Sequence, residues 1–208
     1  MERLRSACVA VCVAAMVGMP VARAQLLSAT VVLGVPLIHQ ANRLTCLPAC
    51  AAMVMRFHGS SATHNELWQS LHMWNDGTSF LEIAQAAEAR DFDAVVFAAS
   101  AKDLINLLAH RLPVIVAIER FETKHAIVVA GYDAQTDRFI VLDPTEPAGE
   151  ECSREHLQSL RSRYADQALV MAPRAFQLME RFPEARQWLQ QDRRYRLAEL
   201  SRTHLGAE

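Results

Sequence analysis

Four side chains that can support thiol chemistry occur along the chain in the order Gln40, Cys46, His125 and Asp143. Cys46 begins an apolar segment that ends at Gly59, a pattern typical of a buried helix with a glycine at its C-terminus. A thiol at the N-terminus of a helix has a lowered pKa, because the helix dipole stabilises the thiolate. Gln40, with five residues between it and Cys46, adds an amide donor. This stretch therefore predicts a cysteine nucleophile that needs a base from elsewhere in the chain.

The candidate base is His125, one of eight histidines. It precedes an apolar run at 126–132 that predicts a buried strand, and Asp143 follows the next predicted strand at 138–142. Antiparallel neighbours joined by a short turn place the start of the first strand beside the end of the second. We therefore expect Asp143 to hold the His125 imidazole in its working tautomer. The other histidines have structural explanations at helix ends, on helix surfaces, near the amide donor or in the C-terminal tail.

The remaining pattern predicts helices first and a mostly antiparallel sheet second, which is an α+β fold. Periodicity and capping residues predict helices that begin near Cys46, Thr63, Phe80, Ser100 and Ser153. Apolar runs predict strands at 92–97, 114–118, 126–132, 138–142 and 167–171. Thr45 is expected to cap the first helix through its hydroxyl, and Pro48 fits the first turn, where no intrahelical donor is lost.

Composition indicates one folded domain with a helical extension. The chain has 208 residues, 51% hydrophobic residues and a formal net charge of −2, which excludes a disordered chain and argues against a nucleic-acid or membrane-surface partner. We expect a domain over residues 25–172. Residues 173–208 combine many Arg and Glu with apolar residues at helical spacing and predict a C-terminal helical extension. A charged helix docked by a thin apolar stripe is the simpler interpretation, and an envelope protein partner is the alternative.

The first 24 residues have the features of a cleavable export signal. Arg3 and Arg5 form a basic start, residues 7–17 are apolar but too short to span a bilayer comfortably, and Ala22-Arg23-Ala24 forms a cleavage site. We therefore expect residues 1–24 to be removed. The mature protein is then expected to be periplasmic or secreted, with no stable membrane span.

Three cysteines remain after that removal, namely Cys46, Cys50 and Cys152. In an oxidising compartment an odd count allows one disulfide, and Cys50–Cys152 is the pairing that leaves Cys46 free. The alternative is that Cys50 and Cys152 are small buried hydrophobic residues. A Cys-x3-Cys spacing within one helix fits neither a structural zinc site nor a thioredoxin-like motif, so we expect no metal and no cofactor.

The order of these motifs resembles that of papain-like cysteine peptidases. In detail it is similar to cysteine peptidase family thirty-nine, the peptidases that process double-glycine leaders and bacteriocins. The segments that carry the resemblance are VPLIHQANRLTCLPACAAMVMRFHG, HAIVVAGYD and FIVLDP, within residues 35–172. The resemblance implies a papain-like fold and the hydrolysis of peptide bonds in a peptide or protein substrate.

The same resemblance implies a role for each of the four residues. Cys46 is expected to be the nucleophile and His125 its general base and acid. Asp143 is expected to orient His125. Gln40 and the backbone N–H of Cys46 are expected to form the oxyanion hole.

Two departures from the family pattern bear on function. The family usually has Gly directly after the nucleophile, and Leu47 in that position is expected to crowd the cleft or alter the oxyanion donor. The membrane spans and ATPase of the transporter members are not found in this sequence, so an ATP-driven export role is not implied. Papain-like sites also catalyse amide transfer and deamidation through the same thioester, and a degenerate domain of this fold can bind peptides without catalysis. Both alternatives stay open here.

Overall fold

The computed structural model describes residues 30–71 and 77–205. The predicted export signal, residues 1–24, lies outside this range. In the described chain one antiparallel sheet lies between two groups of helices, which confirms the α+β class. Within these residues there is no helix that is both long and apolar enough to cross a membrane.

The described residues form seven strands and seven α-helices. The strands are β1 (Val31–Val32), β2 (Phe92–Ala98), β3 (Val114–Arg120), β4 (Thr123–Asp133), β5 (Arg138–Leu142), β6 (Glu150–Ser153) and β7 (Gln167–Pro173). The helices are α1 (Cys46–Phe57), α2 (His64–Ser70), α3 (Phe80–Glu88), α4 (Ala101–Ala109), α5 (Arg154–Ser162), α6 (Leu178–Arg181) and α7 (Ala185–Leu205). A short 3-10 helix, Arg174–Phe176, joins β7 to α6.

The sheet has the strand order β2-β7-β3-β4-β5-β6, and β1 pairs with β4 outside this path. All of these pairings are antiparallel. The register places Ile118 of β3 opposite His125 of β4, and it places Leu142, the last residue of β5, opposite Val128. His125 and Asp143 therefore lie at the same end of the β4–β5 hairpin, as the sequence predicts.

Side-chain caps fix the starts of four helices where the sequence predicts them. Full capping boxes are formed by Thr63 with Glu66, by Ser79 with Glu82 and by Ser100 with Asp103. The Ser153 hydroxyl accepts a hydrogen bond from the backbone N–H of His156 at the start of α5.

Two short strands are not predicted by the sequence. At β1, a Cβ atom on Gly131 would lie 2.7 Å from the carbonyl oxygen of Val31, so this close pairing requires glycine. The β6 strand, Glu-Glu-Cys-Ser, pairs with β5 in a segment whose polar composition predicts a loop. Neither segment is long or apolar enough to show the alternation by which strands are recognised.

The core lies on both faces of the sheet. Val114 and Val116 of β3 contribute to one apolar cluster, while Ile115 and Ala117 contribute to the other, as the alternation of a strand requires. Helices α1 and α3 cover the second cluster, and residues of α4, α5 and α7 belong to the first. Residues 49–55 of α1 have no exposed surface. The helix that begins at Cys46 is therefore held firmly against the sheet.

The C-terminal extension packs on the same body. Trp188 of α7 is buried against Phe97 of β2, with 4.7 Å between the ring centroids, and Phe182 lies beside Trp188. This agrees with the simpler interpretation of a helix docked by a thin apolar stripe. Because that stripe is used within the molecule, nothing in the described part of α7 supports a protein partner at this helix.

Polar side chains of α7 also accept hydrogen bonds from the backbone of β2, a strand at the edge of the sheet. Asp192 accepts a hydrogen bond from the backbone N–H of Val96 at 3.0 Å, and Gln191 accepts one from the N–H of Ala98 at 2.7 Å. Arg196 bonds Asp192 from the next turn of the helix. Unpaired backbone N–H groups on an edge strand favour pairing with another chain, and two such groups of β2 are hydrogen-bonded within the molecule instead.

Candidate active site

Cys46 is the first residue of α1 and is partly exposed. Burial raises the pKa of its thiol, but a hydrogen bond and charge attraction with His125 lower the pKa, as do backbone hydrogen bonds from Ala126 and Leu47. The lowering contributions prevail, so the pKa of Cys46 lies below the usual range of a thiol. The structure thus brings the predicted nucleophile and the predicted base into contact.

His125 lies near the start of β4 and is buried. Its Nε2–H donates to Oδ1 of Asp143 at 2.9 Å, which leaves Nδ1 as the ring nitrogen for Cys46. Burial alone would lower the pKa of His125. The hydrogen bonds with Asp143 and Cys46, together with their negative charges, outweigh burial and raise the pKa to about 9.

Asp143 directly follows β5 and is also buried. Its Oδ1 atom accepts from His125 and from both the backbone N–H (2.8 Å) and the hydroxyl (2.7 Å) of Thr145. Its Oδ2 atom accepts from the guanidinium of Arg120. Burial by itself raises the pKa of the carboxyl, but the hydrogen bonds from His125 and Thr145, together with the charge of His125, hold the pKa well below its usual range. Asp143 is therefore an anion that supports a protonated His125.

Gln40 lies next to the loop that carries Asp143. Its backbone N–H donates to the carbonyl oxygen of Pro144 at 3.1 Å. Its side-chain Oε1 is buried and has no hydrogen-bond partner in the described structure. A buried amide oxygen without a partner is uncommon.

Thr45 differs from its predicted role, because its hydroxyl does not cap α1. The hydroxyl instead accepts from the backbone N–H groups of Ala41 (2.9 Å) and Asn42 (3.1 Å), and it donates to the Asn42 carbonyl at 3.0 Å. The hydroxyl is thus bonded by backbone N–H groups of the preceding loop and not by those of the first helical turn. Thr45 therefore fixes the shape of the loop that joins Gln40 to Cys46.

Leu47 has a buried side chain, 4% exposed, in the apolar cluster beneath α1. Its backbone N–H is among the groups that lower the pKa of Cys46. The expectation that this side chain crowds the cleft therefore has no support from its position.

The other two cysteines of the described residues, Cys50 and Cys152, are free thiols and do not form a disulfide with each other. Cys50 is fully buried one turn after Cys46, and its thiol donates to the Ala126 carbonyl at 3.3 Å. Burial raises the pKa of Cys50, and burial also raises the pKa of the half-buried Cys152. The described residues contain no group of three or more His, Cys, Asp or Glu that could bind a metal ion.

Sequence reasoning missed Arg120 and Glu146. The guanidinium of Arg120 bonds Asp143 through one nitrogen and Glu146 through the other. Arg120 precedes the turn between β3 and β4, in a charged stretch that has the composition of an ordinary surface hairpin. Its only sequence signal is its position at the hairpin end that also carries His125.

Fold and geometry together define a domain with the fold of papain-like cysteine peptidases. Consistent with this class, the model of the Peptidase C39 family matches residues 34–175, and the chain belongs to that family. No curated protein matches the chain significantly by sequence.

Solved structures of similar fold are peptidase domains. A C39-like peptidase from Bacillus anthracis is 17% identical, with a TM-score of 0.58, over 69% of this chain and 98% of that one. The peptidase domain of Streptococcus ComA, a bifunctional ABC transporter in a quorum-sensing pathway, is 25% identical, with a TM-score of 0.55, over 67% and 98%. A double-glycine-motif protease from an AMS/PCAT transporter, solved with its leader peptide, is 18% identical, with a TM-score of 0.55, over 69% and 97%.

Proposed function

We propose that this protein is a cysteine peptidase that cleaves peptide bonds through Cys46, His125, Asp143 and Gln40. The observation that carries this proposal is the hydrogen bond from the His125 ring to the Asp143 carboxylate, at 2.9 Å, beside a Cys46 thiol whose pKa His125 lowers. The opposite pKa shifts of Cys46 and His125 favour a thiolate–imidazolium pair. Such a pair is the form in which a cysteine is a strong nucleophile.

The reaction begins with attack of the Cys46 thiolate on the scissile carbonyl. The resulting oxyanion is stabilised by the backbone N–H of Cys46, which has no intrahelical partner at the first position of a helix, and by the side-chain amide of Gln40. His125 then protonates the leaving amine, and the acyl group remains on sulfur as a thioester. Neutral His125 next activates a water molecule, which releases the acid and restores the thiol pair. Asp143 keeps the imidazole in the orientation that both proton transfers require.

The substrate class we propose is a peptide or protein. The protease from the AMS/PCAT transporter was solved with a leader peptide bound, and ComA is named as part of a transporter. These properties belong to those proteins. For the present chain they support a peptide substrate and carry no argument for coupling to transport.

We further propose that the peptidase works outside the cytoplasm. The support is the basic, apolar and A-x-A pattern of residues 1–24. Mass measurement of the N-terminus of the exported protein tests this directly, with Gln25 expected as the first residue.

A peptide-library digest tests the peptidase proposal. The mature protein is incubated with mixed peptides that include Gly-Gly sequences, and products are identified by mass spectrometry. New termini formed with water are expected, with none from Cys46→Ala. Products extended by an added amine would indicate transfer instead, and conversion of Gln to Glu would indicate deamidation. Equal cleavage by Cys46→Ala would contradict the proposal.

A further inference from the structure

We propose that Arg120 is a positioning residue of this site, which holds the Asp143 carboxylate and the following loop in the arrangement that supports the Cys46–His125 pair. This inference rests on the proposed function, because it assigns Arg120 a role in the same site. Arg120 is expected to act through Asp143 rather than on the substrate.

The guanidinium of Arg120 holds two carboxylates at once. One terminal nitrogen donates to Oδ2 of Asp143 and the other to Oε1 of Glu146. His125 and Thr145 both donate hydrogen bonds to the other oxygen of Asp143, Oδ1. Arg120 thus fixes the second oxygen, and both ends of the carboxylate have a defined direction. The planar fork of arginine allows this bridging, which the single ammonium of lysine does not reproduce.

The hairpin between β3 and β4 holds the Arg120 backbone in place. Arg120 pairs with Thr123 across a two-residue turn, Phe121 and Glu122, whose φ angles are 50° and 61°. The Thr123 hydroxyl donates to the Arg120 carbonyl at 2.8 Å. The guanidinium lies 5.3 Å from the centre of the Phe121 ring. These contacts restrict the side chain on which Asp143 depends.

The loop held by Arg120 also contacts the segment of Gln40. The backbone N–H of Glu146 donates to the Asp143 carbonyl at 3.1 Å, which closes a turn, and the Pro144 carbonyl within it accepts from Gln40. By bonding Asp143 and Glu146, Arg120 therefore braces a turn that carries one site residue and adjoins another.

The charged neighbours of this network set the direction of the expected effect. Asp143 faces His125 and Arg120, its charge also acts on Cys50, and Cys46 faces His125. Arg120 faces Glu146 in addition. Loss of Arg120 frees one oxygen of Asp143 and removes a positive charge. Both changes disfavour the Cys46 thiolate, which should then form at a higher pH.

The test is the pH dependence of Cys46 alkylation by iodoacetamide, measured on the mature protein by peptide mass spectrometry, which needs no substrate. Arg120→Met should raise the alkylation midpoint by about one pH unit. Arg120→Lys should also raise it, because the charge remains but the bridge is lost. Glu146→Gln removes a negative charge, which by itself favours the thiolate, so any rise in its midpoint should be smaller than that of Arg120→Met. The matched control is Arg154→Met, since Arg154 also bonds two side chains, Asp137 and Tyr132, and this change should leave the midpoint unchanged.

A wild-type alkylation midpoint in Arg120→Met overturns the inference. A wild-type midpoint in Arg120→Lys also overturns it, because the arginine would then supply only its positive charge. If Arg120→Met does not fold, Arg120→Lys decides, because it keeps the positive charge and loses the bridge. If the wild type cleaves peptides while the midpoints do not move, only this inference fails. If the midpoints move while the wild type cleaves nothing, the peptidase proposal fails and the positioning role stands.

Discussion

His125 donates from Nε2 to Oδ1 of Asp143 at 2.9 Å, between residues 18 positions apart in the chain. The β4–β5 hairpin produces this contact, because it returns the chain to the end of the sheet from which it started. The contact determines the electrostatics of the site. A stabilised imidazolium favours a thiolate on its other side, so the pKa of His125 rises while that of Cys46 falls.

The first prediction concerns the pH profile of peptide hydrolysis. Activity requires the thiolate and the imidazolium together, so kcat/KM should rise as Cys46 ionises below the usual thiol range and fall as His125 loses its proton near pH 9. Initial rates across both limbs, at constant ionic strength, provide the measurement. A single rise that continues through pH 9 would show that an ordinary thiol, without its imidazolium, is the reactive species.

The second prediction concerns Asp143→Asn. An amide in this position can still accept from Nε2 through its oxygen, but it lacks the negative charge that stabilises the protonated ring, so kcat/KM should fall by about tenfold or more. Steady-state kinetics on any peptide cleaved by the wild type provide the measurement. Asp137→Asn is the control, because Asp137 is a carboxylate near the other end of the same hairpin, bonded to Tyr132 and Arg154. Equal losses in both variants would indicate a general effect on the hairpin.

Much of this arrangement is predicted from local sequence, and the rest depends on long-range contacts. The helix starts at Thr63, Ser79 and Ser100 are local, because a capping box lies within four residues. The His125–Asp143 contact is also predicted, since a short hairpin fixes its own register. The Thr45 hydroxyl was predicted wrongly because two geometries, forward to the helix and back to the loop, were both compatible with its sequence position.

The partner of Arg120 and the polar contacts of α7 with β2 could not be predicted in the same way. Nothing in the sequence near Arg120 indicates that Asp143, 23 residues later, will be its partner. Asp192 accepts a hydrogen bond from the backbone N–H of Val96, which lies 96 residues away in the sequence. Val96 belongs to a strand whose position at the edge depends on the order of all the strands in the sheet. Charged residues on amphipathic helices are usually solvated, so Asp192 has no local signal of burial.

The third prediction concerns Gln40→Ala. If its amide stabilises the oxyanion, kcat should fall by about 10²-fold to 10³-fold, while KM changes little, because the contact is made mainly in the transition state. Kinetics on one peptide separate the two constants. Unchanged alkylation of Cys46 in the same variant serves as the control that the thiol pair is intact. A rise in KM with constant kcat would assign Gln40 to substrate binding.

The fourth prediction concerns the C-terminal helix. Asp192→Ala leaves the buried N–H of Val96 without its partner and removes the bond to Arg196, so the free energy of unfolding should fall by about 2 to 3 kcal/mol. Denaturant titration followed by fluorescence provides the measurement. Arg193→Ala, at the neighbouring exposed position, should change stability by less than about 0.5 kcal/mol. Equal stability of Asp192→Ala and wild type would show that α7 is not needed to cover the edge of β2.

Selective alkylation of Cys46 tests the central claim most directly. Protein that lacks residues 1–24 is treated with iodoacetamide near neutral pH, and the modified fraction of each cysteine is followed over time by peptide mass spectrometry. Cys46 should react first and fastest, while Cys50 and Cys152, whose pKa values are raised, should react slowly. In His125→Ala this advantage should disappear. Equal, slow labelling of all three thiols in the wild type would contradict a thiolate–imidazolium pair at this site.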